Sequence, residues 1–274
     1  MNKILYKYSA LNTHFYDALE KGYFFYAKAN SFNDAFDSVL PYEFKASVED
    51  IIAWKKNGEN VDPRVAEYLM ENPEYLYTAK GKAVLQKSVD SIREYIYVYC
   101  LSENYDDRLM WAYYGGSCTG VCIGYKTDIY GENYFIKTDG SFQSKFIPNG
   151  MANLTPVNYR DYCIERPLPY NVFKMNTDIL AKGLKTKDIL FRHEQEFRSI
   201  IIDDKSKIHI KIPFAKEILN EIIFGAKTKY EDIIDIIKII KKHYDINNIN
   251  IYQIKLDLQT YKFIRGHLNI KEYL

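Results

Sequence analysis

The sequence predicts an α+β fold: a mixed or split antiparallel sheet with flanking helices and a helical insertion. Three observations predict it. Short aromatic or β-branched runs recur from Ile4 to Leu258, amphipathic helical stretches interrupt them, and no regular βαβ repeat links the two. With 47% apolar residues the chain has material for a substantial core.

Residues 3–8 read as a strand. Asn12 or Thr13 caps a short helix through Phe15, Ala18 and Leu19 that stops at Gly22. Tyr23 to Ala27 is an aromatic strand, followed by an irregular segment from Asn30 to Asp37. Ser47 and Asp50 form a capping box ahead of Ile51, Ile52 and Trp54. Asp62-Pro63 opens another helix, since Pro at the first helical position forfeits no hydrogen bond. Leu85, Val89, Ile92 and Ile96 continue at helical spacing. Strands are expected over Tyr97–Ser102 and Gly120–Tyr125, with a short helix between them from Arg108 to Tyr114.

The stretch from Asp128 to Pro169 is the least regular, with short strands around Phe135 and Val157. A helix is expected between Asn171 and Leu190, then a strand through Phe197 to Ile202. Ile208, Ile210 and Ile212 alternate with polar residues, as a half-buried strand requires. Glu221 to Phe224 is a further strand. Tyr230 to Tyr244 is the clearest helix, with Ile233, Ile236, Ile237 and Ile240 on one face, acids at its start and Lys241, Lys242 and His243 at its end. In the last strand, apolar residues fall on odd positions at Ile249 and Ile251 and on even ones from Ile254. That shift predicts a β-bulge near Tyr252. No linker, low-complexity tract or repeat appears, so residues 1–274 read as a single domain with a helical insertion at 45–96.

A formal net charge of +1 excludes a strong overall field for nucleic acid or an anionic membrane. Four cysteines in 274 residues lack the density of a secreted disulfide scaffold. No signal segment opens the chain and no apolar run approaches the roughly twenty residues of a membrane span. A cytoplasmic protein without a membrane partner is expected.

Four segments concentrate polar residues in apolar surroundings. In Ser31–Asp37, aromatics flank Asn33 and Asp34, which suit either an ordered turn or contacts to a metal or ribose hydroxyl. Met110–Gly116 is an aromatic helix ending on two glycines, which either packs the core or places Tyr114 against a flat ligand. In Phe191–Arg198, read as entering a strand, Glu194, Glu196 and Arg198 share one face. Buried charge of that kind requires pairing. Either Arg198 bridges a carboxylate at a strand end, or Glu196 activates a hydroxyl that Arg198 orients. Lys7, between Tyr6 and Tyr8, meets either a pyrophosphate or solvent. Phosphate-loop, dinucleotide-binding and zinc-protease motifs are absent, and Cys118 and Cys122 lack a second ligand pair, so no metal is predicted.

In order along the chain, Tyr6-Lys7-Tyr8, Phe32-Asn33-Asp34-Ala35-Phe36-Asp37, Cys100-Leu101-Ser102, Met110-Trp111 with Tyr114-Gly115, Gly120–Ile123, Glu194–Arg198 and Ile222–Gly225 resemble the pattern of the bacterial domain-of-unknown-function 2971 family. Ala35 replaces the family's Pro, Tyr113 stands where the family often has His, and Cys118-Thr119 where it often has His-Lys. A looser resemblance is to ADP-ribosyltransferase-like folds. It implies that Lys7, Tyr114 and Glu196 serve as early basic residue, nicotinamide-stacking aromatic and late ribose-holding Glu.

Three functions follow as expectations. The first is an NAD-using transferase or glycohydrolase acting as a toxin or phage-defence effector. Its catalytic residues are Glu196, Glu194 and Arg198, and Lys7, Tyr114, Asn33 and Asp34 bind the nucleotide; the acceptor is not assigned. The second is a non-enzymatic binding or regulatory module, with Arg198 buried and paired to Glu194 or Asp34. The third is a metal-dependent nuclease or phosphodiesterase built on Asp34, Asp37, Glu194 and Glu196.

Overall fold

A computed structural model describes residues 2–32, 34, 37, 42–44, 47–57, 63–161, 168–171, 173 and 177–273. The chain runs through β1 (Asn2–Ser9), α1 (Thr13–Lys21), β2 (Tyr23–Lys28) and β3 (Tyr42–Phe44). Helices α2 (Val48–Asn57), α3 (Pro63–Glu71) and α4 (Ala79–Ile92) then lead to β4 (Ile96–Ser102). Next come α5 (Arg108–Tyr113), β5 (Val121–Tyr130), β6 (Asn133–Lys137) and β7 (Met151–Pro156). They are followed by β8 (Asn158–Arg160), β9 (Leu168–Tyr170), α6 (Thr177–Leu184) and β10 (Thr186–Asp188). The chain ends with β11 (Glu196–Ile202), β12 (His209–Pro213), β13 (Leu219–Phe224), α7 (Tyr230–His243), β14 (Asn250–Asp257) and β15 (Lys262–His267).

These elements form two compact units. The first comprises Met1–Ala27, Tyr97–Val157 and Phe191–Leu274; the second comprises Lys28–Ile96 and Asn158–Leu190. The helices of residues 45–96 thus fall in the second unit, together with a later stretch of chain.

The first unit holds a large, mainly antiparallel sheet. Six of its strands close on themselves in the order β1-β4-β11-β7-β6-β5, a barrel the sequence reading lacked. β2 and β12 extend the sheet beyond β4, and β13-β14-β15 extend it beyond β5, with β13 and β14 parallel. Along β1, Leu5 joins the main core while Tyr6 and Tyr8 join a smaller cluster with Trp111 on the opposite face. Helix α1 is capped as its sequence dictates: Asn12 accepts from the Phe15 amide, and Gly22 ends it at φ 72°. Ile233, Ile236, Ile237 and Ile240 of α7 enter the same core as Ile222 and Phe224 of β13. Each fully buried Ile of this kind contributes about 1.5–3 kcal/mol.

In the second unit, Ser47 and Asp50 exchange the reciprocal bonds of a capping box at α2, 2.9 and 3.2 Å long. Ile51, Leu69, Leu76 and Leu85 form its small core. Short parallel pairs, β3 with β9 and β8 with β10, complete what is described of it.

Several boundaries differ from expectation. Helix α4 stops at Ile92, and Ile96 begins β4 after a 3-10 turn, because the run that follows is β-branched and aromatic. The helix expected between Asn171 and Leu190 is present over Thr177–Leu184, and strand β10 and a 3-10 turn follow it. No bulge marks Tyr252, which pairs in register with His267. The parity shift there arises because both faces of this part of β14 are covered: Ile251 faces the main core and Ile254 the smaller cluster. The register shift lies instead between Leu219 and Glu221, where β13 meets β5.

Candidate functional site

Residues 189–194 form a 3-10 turn, and Gln195 adopts φ 42°, a left-handed conformation in the middle of the Glu194–Arg198 motif. That residue breaks the alternation which would have placed Glu194, Glu196 and Arg198 on one strand face. The strand begins only at Glu196, so Glu194 sits on the turn and Glu196 and Arg198 on β11.

From Glu196 onward, the two-residue period holds. Phe197 and Ile201 face the main core, and Glu196 and Arg198 project from the opposite face. The Arg198 guanidinium grips the Glu196 carboxylate with both ends, Nε to Oε1 at 2.7 Å and Nη2 to Oε2 at 3.0 Å. The side chains are 0% and 6% exposed, so this is a two-pronged ion pair removed from water. Glu196 is thus one carboxylate that holds Arg198, in addition to the Glu194 or Asp34 that the module expectation named. Burial, followed by the neighbouring Glu196 carboxylate, pushes the Cys100 thiol far above its ordinary range.

Glu194 is buried by other means. Its backbone carbonyl accepts from Ser102 Oγ at 2.7 Å, and its Oε1 accepts from Tyr114 Oη at 3.1 Å. Tyr114 follows α5, whose first turn is capped by Asp107 accepting from the Met110 amide at 2.8 Å. Trp111 Nε1 donates to the Tyr105 carbonyl, and the Tyr8 ring meets the Trp111 ring edge-on at 5.2 Å.

Lys7 shares the parity of Leu5 and so faces the main core. Its Nζ donates to the Cys100 carbonyl at 3.1 Å and lies 5.0 Å from the Tyr99 ring centroid. The structure thus brings Tyr114 to Glu194, and Arg198 to Glu196, but leaves Lys7 on the other face of the sheet from Glu196 and Arg198. Asp34 is half-buried and belongs to the second unit, as does Asp37, whose carboxylate pairs with buried Lys187 at 3.3 Å. Asn33, Ala35 and Phe36 lie outside the described residues. Among the described residues, no group of three or more His, Cys, Asp and Glu side chains is arranged to hold a metal ion.

Three motif pieces meet at one backbone junction. The Gly120 amide donates to the Gly115 carbonyl, and the Gly225 amide to the Gly120 carbonyl, both at 2.9 Å. A Cβ on Gly225 would stand 2.2 Å from the Cys118 carbonyl oxygen, and one on Gly120 the same distance from that of Ser9. Close backbone approach explains both glycines without a ligand.

One charged cluster escaped the sequence reading. Arg265 of β15 donates to Glu221 Oε2 at 2.6 Å, and Tyr6 Oη donates to the same oxygen at 3.3 Å. The guanidinium lies 4.7 Å from the Tyr105 ring and 4.6 Å from the Tyr252 ring. Burial first, and the Glu221 charge second, push the Tyr6 phenol above its ordinary range. The signal was a lone Glu inside the apolar run Leu219–Phe224, since buried charge needs a partner.

No family model, curated protein or solved structure matches the chain, so the family resemblance stands on the motifs read from its sequence. No described helix is long and apolar enough to cross a membrane.

Proposed function

We propose that the protein is a non-enzymatic binding module and that its motif residues hold its architecture. The observation that carries this reading is the Arg198–Glu196 pair. A carboxylate gripped at both oxygens by a guanidinium with no exposure is committed to an ion pair inside the protein, which is a structural use of the motif. The glycine junction and the inward course of Lys7 support it, because each has a packing role. The test is nicotinamide release from NAD by the wild type and by Glu196→Gln. Turnover is expected from neither protein, with Glu196→Gln losing stability in urea. Wild-type turnover that disappears in a folded Glu196→Gln protein would overturn the proposal.

A second reading, an NAD-using transferase or glycohydrolase, draws support from one contact. The Tyr114 hydroxyl on Glu194 sets an aromatic ring beside a buried carboxylate, the pair of groups that nicotinamide stacking and ribose binding call for. In this reading the working carboxylate is Glu194. Its test is nicotinamide release by Glu194→Gln and Tyr114→Phe, both of which should lose activity that the wild type possesses.

A further inference from the structure

The large sheet of the first unit ends in β12 at one side and in β15 at the other. β12 carries Lys211 and Pro213, a charge and a missing amide, both of which blunt an edge. β15, Lys262–His267, contains no Pro, and among the described residues it pairs with β14 alone. Its hairpin also holds large apolar side chains in water: Leu256, Leu258, Tyr261 and Ile264 are 60, 75, 75 and 49% exposed. Of the strand's two central charges, Arg265 is turned back onto Glu221 and does not guard the edge. An edge of this composition is a template for another strand.

One hydrogen bond fixes which backbone groups the edge presents. The Leu268 amide donates to the Ile251 carbonyl at 3.0 Å, in the register that pairs Tyr252 with His267. Residues of an antiparallel strand turn their backbone groups alternately toward and away from the neighbour. Lys262, Ile264 and Gly266 therefore direct theirs to β14, and Phe263, Arg265 and His267 direct theirs outward.

An antiparallel copy of the same strand matches these groups about one residue. With a two-fold axis at Ile264, Phe263 exchanges backbone bonds with the partner's Arg265, and Arg265 with the partner's Phe263. Ile264 then meets its own copy, Lys262 lies across from the partner's Gly266, and no like charges stand opposite each other. An axis at Arg265 would set two guanidiniums face to face, and one at Gly266 would set Arg265 against the partner's His267. An axis at Phe263 would draw in Tyr261, whose φ of 54° takes it out of the extended range.

We propose that β15 is an interface between two copies of this chain, paired antiparallel about a two-fold axis at Ile264, so that the sheet continues from one copy into the other. The inference goes beyond the binding-module reading and does not depend on it, because it rests on one strand edge and its register.

The experiment uses the full chain in sedimentation equilibrium, followed by mild oxidation of single-cysteine variants. Pairing at one strand edge buries little area, so the wild type should dimerise reversibly in the micromolar range. Ile264→Lys sets like charges together on the axis and should raise the dissociation constant about tenfold or more, with the fold unchanged by circular dichroism because the position is half-exposed. Ile264→Cys is the register test, and it holds even if Ile264→Lys fails to fold. At a pair that shares no backbone bonds the two Cα atoms stand about 4.5 Å apart, within reach of a disulfide. Lys262 and its copy stand about 13 Å apart, beyond that reach. Ile264→Cys should therefore give a covalent dimer and Lys262→Cys should not, with the wild type and its own four cysteines setting the background. A wild type that stays monomeric, a dimer indifferent to Ile264→Lys, or equal cross-linking of the two cysteine variants would each overturn the proposal.

Discussion

Arg198 in the barrel unit and Val84 in the helical unit each stand where their chemistry is least at home. The guanidinium has no exposure, and the apolar side chain is half in water. The barrel resolves its conflict internally: Arg198 has Glu196, and Glu221 has both Arg265 and Tyr6. In the helical unit Val84, Val65 and Tyr68 line one concavity and are each about half exposed. The difference teaches where stability resides. A buried charge satisfied by its own chain is a structural commitment, whereas an apolar side chain half in water contributes little to the fold that holds it.

The largest expected effect breaks the barrel side of that contrast. Arg198→Met leaves the Glu196 carboxylate buried without the cation that holds it and should cost about 3–5 kcal/mol in urea unfolding. Adding Glu196→Leu should recover most of this, because an apolar pair of similar volume avoids desolvating two charges. If the double variant is no more stable than the single one, the two residues serve something besides each other.

A smaller loss is expected from Glu221→Gln. It removes the charge that Arg265 and Tyr6 share and should cost about 1.5–3 kcal/mol, the range for hydrogen bonds to charged groups. Arg265 is 30% exposed and can turn part of its charge to water, which keeps this loss below that of Arg198→Met. Ultraviolet titration supplies the second readout. The Glu221 charge helps to raise the Tyr6 phenol, so the substitution should bring that phenol back toward its ordinary range while burial holds it elevated. An unchanged tyrosine titration would separate the two groups.

Asp107→Ala should cost about 1 kcal/mol, the usual value of a helix N-cap. Its bond to the Met110 amide orders the short helix that leads to Tyr114, so thermal unfolding of the barrel unit should shift downward by a few degrees.

How far the sequence foretold these features depends on how local their causes are. The caps at Asn12, Ser47 and Gly22, and the amphipathic face of α7, are each written within a few residues, and each forms as read. Closure of the barrel rests on β1 meeting both β4 and β5, a pairing across about a hundred residues that no local pattern encodes. The Glu194–Arg198 motif was legible as a charge problem, and Arg198 was rightly expected to need a carboxylate. The break in alternation was not legible, because it rests on the positive φ of Gln195, which puts Glu194 on the turn and Glu196 on the strand. The Arg265–Glu221–Tyr6 cluster joins three strands distant in sequence, so its only local trace was one Glu in an apolar run. The concavity in the helical unit was invisible for a different reason. Each of its helices reads as ordinarily amphipathic, and only their packing shows that Val65, Tyr68 and Val84 line one concavity.

The smallest effect on stability is expected at Val84, and its smallness is informative. Val84→Ser removes apolar surface that is already half in water, so the transfer free energy lost on folding should stay within about 0.5 kcal/mol. A residue whose side chain helped to hold α4 against the rest of its unit would cost several times more. Urea unfolding of Val84→Ser beside the wild type distinguishes the two. Unchanged stability would mark this position as surface the fold does not need. A loss above about 1 kcal/mol would place Val84 with the small core of its unit, and the contrast between Arg198 and Val84 would fall with it.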